Sequence, residues 1–394
     1  MFEASWLGNG LLLAGIVVLV YAYLGYPLGI ALYARLRPRP LDLSGPRPAS
    51  ASVVMAVRDE AARVEARVQQ LVRCLDASGV DGEVIVASDG SIDATATTVR
   101  RMNHPQVRLV ELNHPVGKSE AISRAADVAA GEVLIMADVR QHFRVDTITE
   151  LLAPFEDPSV GAVSGELVLT DIEGVLRGVG AYWKYEKWIR RNESRCGSMV
   201  GVTGAVSAVR RSAFAGVPQG TILDDVYWPL RVASDVASDG NRVVFWPAAV
   251  AEDRLPDDPH QEFRRKVRTL TGNFQLLKLC PSLCVPMGHP LAFRFWSHKM
   301  SRLACPWAMM AIGIGAAIAG HSVGYLVASG LAMLLLIGSV GLRTDWGQRS
   351  RAVSAMASFT LLNWAALVAF FFWITTRSTD RLWRPTVAAG PKSS

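Results

Sequence analysis

The sequence predicts an α/β domain with a mostly parallel central sheet, set between α-helical membrane segments. Three observations carry that expectation. Short apolar, β-branched runs alternate with amphipathic helical runs between Ala51 and Ala137. Charge is plentiful from Arg35 to Arg268 and sparse at the N-terminus and from Leu303 to Leu342. Asp89 and Asp138 each fall just past the end of a predicted strand, at the edge where such sheets bind ligands.

The elements follow in chain order. Trp6 to Ile30 carries no charge, and at about 1.5 Å per residue it is long enough to cross about 30 Å of hydrocarbon. It lacks the basic start of a signal peptide and runs into Arg35, Arg37, Arg39 and Arg47, so it reads as a retained anchor. With only Glu3 ahead of it, the charge rule puts the N-terminus outside and the large domain in the cytoplasm.

Ala51–Val57 is the first strand, followed by a helix to Asp76 that Asp59 is placed to cap. Val64, Val68, Leu71, Val72 and Leu75 form its apolar face. Glu83–Ala87 is a second strand with a helix from Ile92, and Val107–Leu112 a third with a helix over Lys118–Ala129. Glu132–Ala137 is the fourth. Strands joined by crossover helices pair in parallel and are covered on both faces.

After a basic run at Arg264, Arg265, Lys266 and Arg268, Leu303–Gly320 and Val323–Leu342 read as a membrane hairpin turning at His321. Val353–Thr376 is a further apolar run. Four full crossings would leave Arg377, Arg381 and Arg384 outside, against the charge rule. Either the last segment is re-entrant or interfacial, or another segment is not a full crossing. His298 and Lys299 fall at the cytoplasmic edge and read as headgroup contacts. The expected division is an anchor over 1–30, a basic linker over 31–50 and the α/β domain over 51–255. Interfacial helices over 256–302, a membrane region over 303–376 and a tail over 377–394 follow.

Composition narrows the function. Of 394 residues, 50% are hydrophobic and 19% charged, below the roughly 25% charge of soluble domains, which excludes disorder and collagen-like fibres. Five irregularly spaced cysteines suit a reducing compartment better than a disulfide framework. The net charge of +6 sits beside the apolar runs, the pattern of membrane flanks rather than of a nucleic-acid reader. No nucleic acid is expected as a partner. Neither a G-x-G-x-x-G fingerprint nor a G-x-x-x-x-G-K-[ST] loop is present.

What is present is an ordered set: Ser88-Asp89-Gly90-Ser91, Gly117-Lys118, Asp138-Val139-Arg140, Gly201-Val202-Thr203-Gly204, Leu223-Asp224-Asp225, and Arg265 to Thr269. On an alternating sheet this set resembles glycosyltransferase family 2. These are inverting sugar transferases with a GT-A fold, and their membrane-anchored branch includes the cellulose, chitin and hyaluronan synthases. The resemblance implies a nucleotide-sugar donor, a UDP-sugar above others, and a carbohydrate or lipid-linked acceptor. It also implies a multi-pass place in a plasma (bacterial inner) membrane, with the lipid bilayer as partner and with homo-oligomers or polysaccharide-assembly partners as further associations.

It implies roles residue by residue. Asp59 and Glu60 stand where the family has Asn-Glu beside the nucleotide base. Asp89 matches the acid that contacts the nucleotide, with helix capping as its local alternative, and Lys118 a lysine near the nucleotide. Asp138 matches the first acid of the Asp-x-Asp motif and is the expected ligand of a divalent cation, Mg2+ or Mn2+. Arg140 replaces the second acid, and a guanidinium cannot ligate a metal. Either the ion binds through Asp138, donor oxygens and water, or Arg140 clamps the diphosphate itself; a surface ion pair is the plain alternative. Asp225 matches the catalytic base, with Asp224 beside it, and Thr203 and Gly204 lie in the acceptor-side loop. Arg268 keeps the arginine of the synthases' Gln-x-x-Arg-Trp motif, whereas Arg265 and Thr269 replace its Gln and Trp. These departures leave a second reading open, a catalytically impaired scaffold or transport component of an envelope-polysaccharide assembly.

Overall fold

The computed structural model describes residues 2–170, 177–235, 241–254, 259–344 and 350–375. The expected tail over 377–394 and the expected boundary at 255–256 lie outside the described residues. From the N-terminus run helices α1 (Phe2–Val20) and α2 (Tyr26–Leu36), joined by one π-helical turn. The α/β domain then alternates β1 (Ser50–Val57), α3 (Val64–Ser78), β2 (Asp81–Asp89), α4 (Thr95–Met102), β3 (Val107–Leu112), α5 (Lys118–Asp127) and β4 (Val133–Ala137). β5 (His142–Phe143), α6 (Thr147–Leu152), β6 (Val160–Thr170), α7 (Arg177–Arg195), β7 (Val206–Arg210), α8 (Asp224–Ser234) and β8 (Arg242–Arg254) complete it. Helices α9 (Pro259–Leu279), α10 (Ala292–Phe295), α11 (Ser301–Ala319), α12 (Ser322–Gly341) and α13 (Arg351–Thr375) follow.

Among the described residues the sheet has eight strands, in the order β3-β2-β1-β4-β7-β6-β8-β5. Its first half, β3-β2-β1-β4, is parallel as expected. The second half is mixed, because β7 runs antiparallel to both β4 and β6. Alternation along the strands sends Val54 and Ile85 to one face and Val53, Met55, Val84 and Val86 to the other. The first face packs under α5, α8 and α9 through Ile122, Leu230 and Leu276, and the second under α3 and α6 through Leu71 and Leu151. Residues buried on both sides explain why these strands are continuous apolar runs.

Among the described residues, four helical stretches are long and apolar enough to cross a membrane: Ser5–Leu36, Ala292–Ala319, Ser322–Gly341 and Arg351–Thr375. The second begins eleven residues earlier than the hydropathy of the sequence indicates, because a π-helical turn over Trp296–Met300 joins α10 to α11 without a break. Small residues let α1 and α11 touch closely. A Cβ on Gly315 would lie 2.5 Å from the amide nitrogen of Leu12, and one on Gly8 2.4 Å from that of Ala319.

Candidate active site

Parallel pairing of β2, β1 and β4 places their C-terminal ends along one edge, and the loops after them form a crevice floor. Asp59 follows β1 in a left-handed conformation (φ 54°). It does not cap α3, whose first turn starts at Val64. Its Oδ1 instead accepts the N–H of Ile92 at 2.8 Å, while the next amide, Glu60 N–H, donates to Thr95 Oγ1 at 2.8 Å. Both therefore tie the loop after β1 to the loop after β2. Asp89 does not cap α4 either: the N-cap is Ala94, and ahead of it Asp93 Oδ1 accepts Thr95 N–H at 2.9 Å. Asp89 is buried, and its two carboxylate oxygens accept the amides of Val116 and Gly117 at 2.6 and 3.0 Å. This staple fixes the turn that delivers Lys118.

Lys118 Nζ donates to Asp138 Oδ1 at 2.7 Å. Burial would pull the lysine pKa down, but Asp138 and then Asp224 and Asp225 outweigh it, and the pKa is raised. One cation is thus shared by the acid after β4 and the acid pair that opens α8. Arg140 is exposed and makes no ion pair among the described residues, so the surface-pair alternative does not hold. Its guanidinium is available beside the crevice.

Leu223, not Asp224, is the N-cap of α8, and both aspartates sit in the first turn, where the helix dipole favours negative charge. Asp225 is pushed up to about 6, by burial first and by Asp224 second, against the pull of Lys118, Arg190 and Lys299. A base that titrates near neutrality suits abstraction of a hydroxyl proton.

Pro229 lies inside α8. A residue at 229 would normally donate its N–H to the carbonyl of Asp225, four positions back, and proline has none. Val202 N–H takes that carbonyl instead, at 2.8 Å. The segment Gly201–Gly204 is thereby pinned on the first turn of α8. A Cβ on Gly204 would lie 3.2 Å from the Cβ of Asp225, so only glycine leaves the carboxylate unshifted.

Several residues at the site gave no recognisable signal in the sequence. Arg190 on α7 donates to Thr203 Oγ1 at 3.2 Å and lies 3.8 Å from Glu186. Glu186 and Glu193, two turns apart on one helix face, are both buried and clasp His298 from either side at 2.9 Å. Glu193 also accepts the hydroxyl of Tyr26 at 2.6 Å. Lys299 donates to Glu186 at 3.1 Å, and Arg302 pairs with the same carboxylate. His298 and Lys299 are therefore internal ion-pair partners, not headgroup contacts. Burial alone would raise both glutamates, yet His298 and the neighbouring cations hold both below their ordinary value. Arg268 lies on α9, and its neighbours Lys266 and Thr269 line a cavity next to this cluster.

Among the described residues no group of three or more His, Cys, Asp or Glu side chains forms a metal site. Asp138 is the one expected ligand, and Lys118 already bonds its Oδ1. An ion here would fit only in the manner of Mg2+, which commonly takes one or two carboxylates and completes its shell with substrate phosphates and water.

A parallel half-sheet with acids at its strand ends, and a half-buried acid pair that acts on the same lysine, form a domain of the GT-A type. Residues 52–217 match the model of glycosyl transferase family 2. An N-acetylglucosaminyltransferase of Rhizobium meliloti is 26% identical over 245 residues, covering 56% of this chain and 55% of the relative. One from Bradyrhizobium diazoefficiens is 25% identical over 225 residues, covering 51% and 45%. The chain thus spans about half the length of these curated relatives. In fold it is similar to a mannosyltransferase from Pyrobaculum calidifontis, solved with GDP-mannose and Mn2+. That likeness covers 93% of this chain and 100% of the other, at TM-score 0.69 and 21% identity.

Proposed function

We propose that the chain is a membrane-bound inverting glycosyltransferase that moves a sugar from a UDP-sugar to a carbohydrate or lipid-linked acceptor, with Asp225 as general base. The observation that carries the reading is the position of Asp225. It is a carboxylate with a raised pKa, held against a glycine loop and acted on by Lys118, which also bonds Asp138. Burial first, and repulsion from its partner Asp224 second, keep that pKa high.

In the proposed step the acceptor hydroxyl oxygen attacks the anomeric carbon and its proton passes to Asp225. The bond from the anomeric carbon to the diphosphate oxygen breaks, and its electron pair leaves with the nucleoside diphosphate. In-line displacement inverts the anomeric centre. Asp59, Glu60 and Asp89 shape the nucleotide pocket, and Lys118, Arg140 and Arg268 meet the diphosphate. A divalent cation, Mg2+ or Mn2+, would be held by Asp138 and donor oxygens and would offset diphosphate charge. Positive-inside flanks support a cytoplasmic domain at a bacterial inner membrane. The activity named for the two relatives makes N-acetylglucosamine the first sugar to screen.

The test is release of nucleoside diphosphate and sugar transfer by the full chain in detergent with a panel of UDP-sugars. Asp225→Asn should cost about 10²- to 10⁴-fold in turnover while donor binding persists. Undiminished turnover in Asp225→Asn would remove the base assignment. No turnover of any nucleotide sugar by the unmodified chain would favour the scaffold reading, which the replacement of an acid by Arg140 motivates.

A further inference from the structure

Helix α3 buries two polar side chains, Arg67 and Gln70, beside Val64, Val68 and Leu71. Arg67 Nε donates to the carbonyl of Asp138 at 3.0 Å, and its guanidinium carbon lies 4.4 Å from the ring centre of Phe143. Nη1 of Arg67 donates to Gln70 Oε1, and Gln70 Nε2 donates to the carbonyl of Phe143 at 2.5 Å. Between these two ends Gln141 is buried and donates to Asp253 on β8 at 2.7 Å. The segment from Asp138 to Phe143 is thus held at three points from inside the domain. On its outer side it sets the Asp138 carboxylate against Lys118 and leaves Arg140 exposed.

Packing alone does not account for Arg67. Among the described residues it forms no ion pair, and its Nη2 is buried with no hydrogen-bond partner. Burial pulls its pKa down to about 10, against Cys74 and then Asp138. A buried cation without a paired anion costs stability that an apolar side chain of similar length would not. What the guanidinium supplies is a rigid planar fork, which reaches the carbonyl at the end of β4 and braces Gln70 at the same time. Resting on the donor reading above, we infer that Arg67 is a positioning residue for the nucleotide diphosphate. With Gln70 it fixes the loop that carries Asp138 and Arg140, so both side chains meet the diphosphate without rearrangement. It acts through that loop and not by contact with the donor. The loops after β1 and β2, which shape the nucleotide pocket, are tied to each other through Asp59 and Glu60, and Arg67 donates to neither.

The test compares the affinities of UDP and UMP for the full chain in detergent with Mg2+ present, without sugar donor or acceptor, so it does not depend on turnover. A lesion of the fold as such weakens both nucleotides alike and leaves their ratio unchanged. Loss of the positioned loop weakens UDP more, because the second phosphate is the group that the loop meets. Arg67→Met should lower the ratio of UDP to UMP affinity about tenfold, the worth of one charge-assisted hydrogen bond. Gln70→Leu releases the same loop at its Phe143 end without removing the guanidinium. It should lower the ratio about fivefold, and it carries the test if thermal melts show that Arg67→Met does not fold. An unchanged ratio in folded Arg67→Met, or in Gln70→Leu where that variant carries the test, would overturn the inference while leaving the transferase reading in place. No UDP binding by the unmodified chain would overturn the donor reading, and this inference with it.

Discussion

The backbone N–H of Val202 donates to the carbonyl of Asp225 at 2.8 Å, in the place that Pro229 leaves vacant. This bond couples the loop Gly201–Gly204 to the turn carrying the proposed base. Pro229→Ala restores a competing helical donor. The Val202 amide should then exchange with deuterium faster than in the unmodified chain, while amides in β1 and β4 keep their protection. Unchanged exchange at Val202 would show that the loop is held by other contacts.

Gly204 is the second anchor of that coupling. The methyl of Gly204→Ala meets the Cβ of Asp225 at 3.2 Å, tight enough to displace the side chain by a few tenths of an ångström. Turnover should fall by about tenfold, a fraction of the roughly hundredfold that a 1 Å misplacement can cost. Nucleotide affinity should hold, because Asp89 and Lys118 lie on other loops. Steady-state kinetics alongside UDP binding separates the two effects.

The acid limb of the pH profile should fall near pH 6, where Asp225 titrates, with activity rising as the carboxylate ionises. Asp224→Asn removes the repulsion that raises this pKa, so the limb should move to lower pH. Lys118→Gln removes a cation that lowers it, so the limb should move to higher pH. Opposite shifts in kcat/KM profiles are the signature; shifts of the same sign would mean that Asp225 does not set the limb.

Glu193 is fully buried between Tyr26 and His298, and it joins the first membrane helix to the domain. Glu193→Ala leaves both partners unsatisfied and should cost about 3 kcal/mol or more, read as a lower thermal midpoint in detergent. The folded-state pKa of Glu193 lies below its ordinary value. Its stabilisation is therefore fully present above the unfolded value of about 4.3 and is lost as the pH falls towards the folded one. Thermal melts between pH 7 and pH 3 should show the midpoint of the unmodified chain falling with acid more steeply than that of Glu193→Gln.

Much of the fold and part of the candidate site can be read from the chain itself. Continuous apolar runs separated by amphipathic helices specify the parallel half of the sheet, because each strand has to be buried on both faces. Register then brings Asp59, Asp89 and Asp138 to one edge. The acid pair Asp224-Asp225 and the glycines before it are legible by type and order. What the tertiary structure decided is where lone side chains spend their hydrogen bonds. Asp89 was open to either capping or ligand contact, and the fold commits both of its oxygens to the amides before Lys118. The antiparallel insertion of β7 depends on a chain reversal that local periodicity does not encode. The buried cluster of Glu186, Glu193, His298, Lys299 and Arg302 joins residues more than a hundred positions apart. Each of these charges alone looks like an ordinary flank of an amphipathic or membrane helix. Only when α7 packs against the π-helical turn before α11 do they lose water, and desolvation then makes their pairing obligatory.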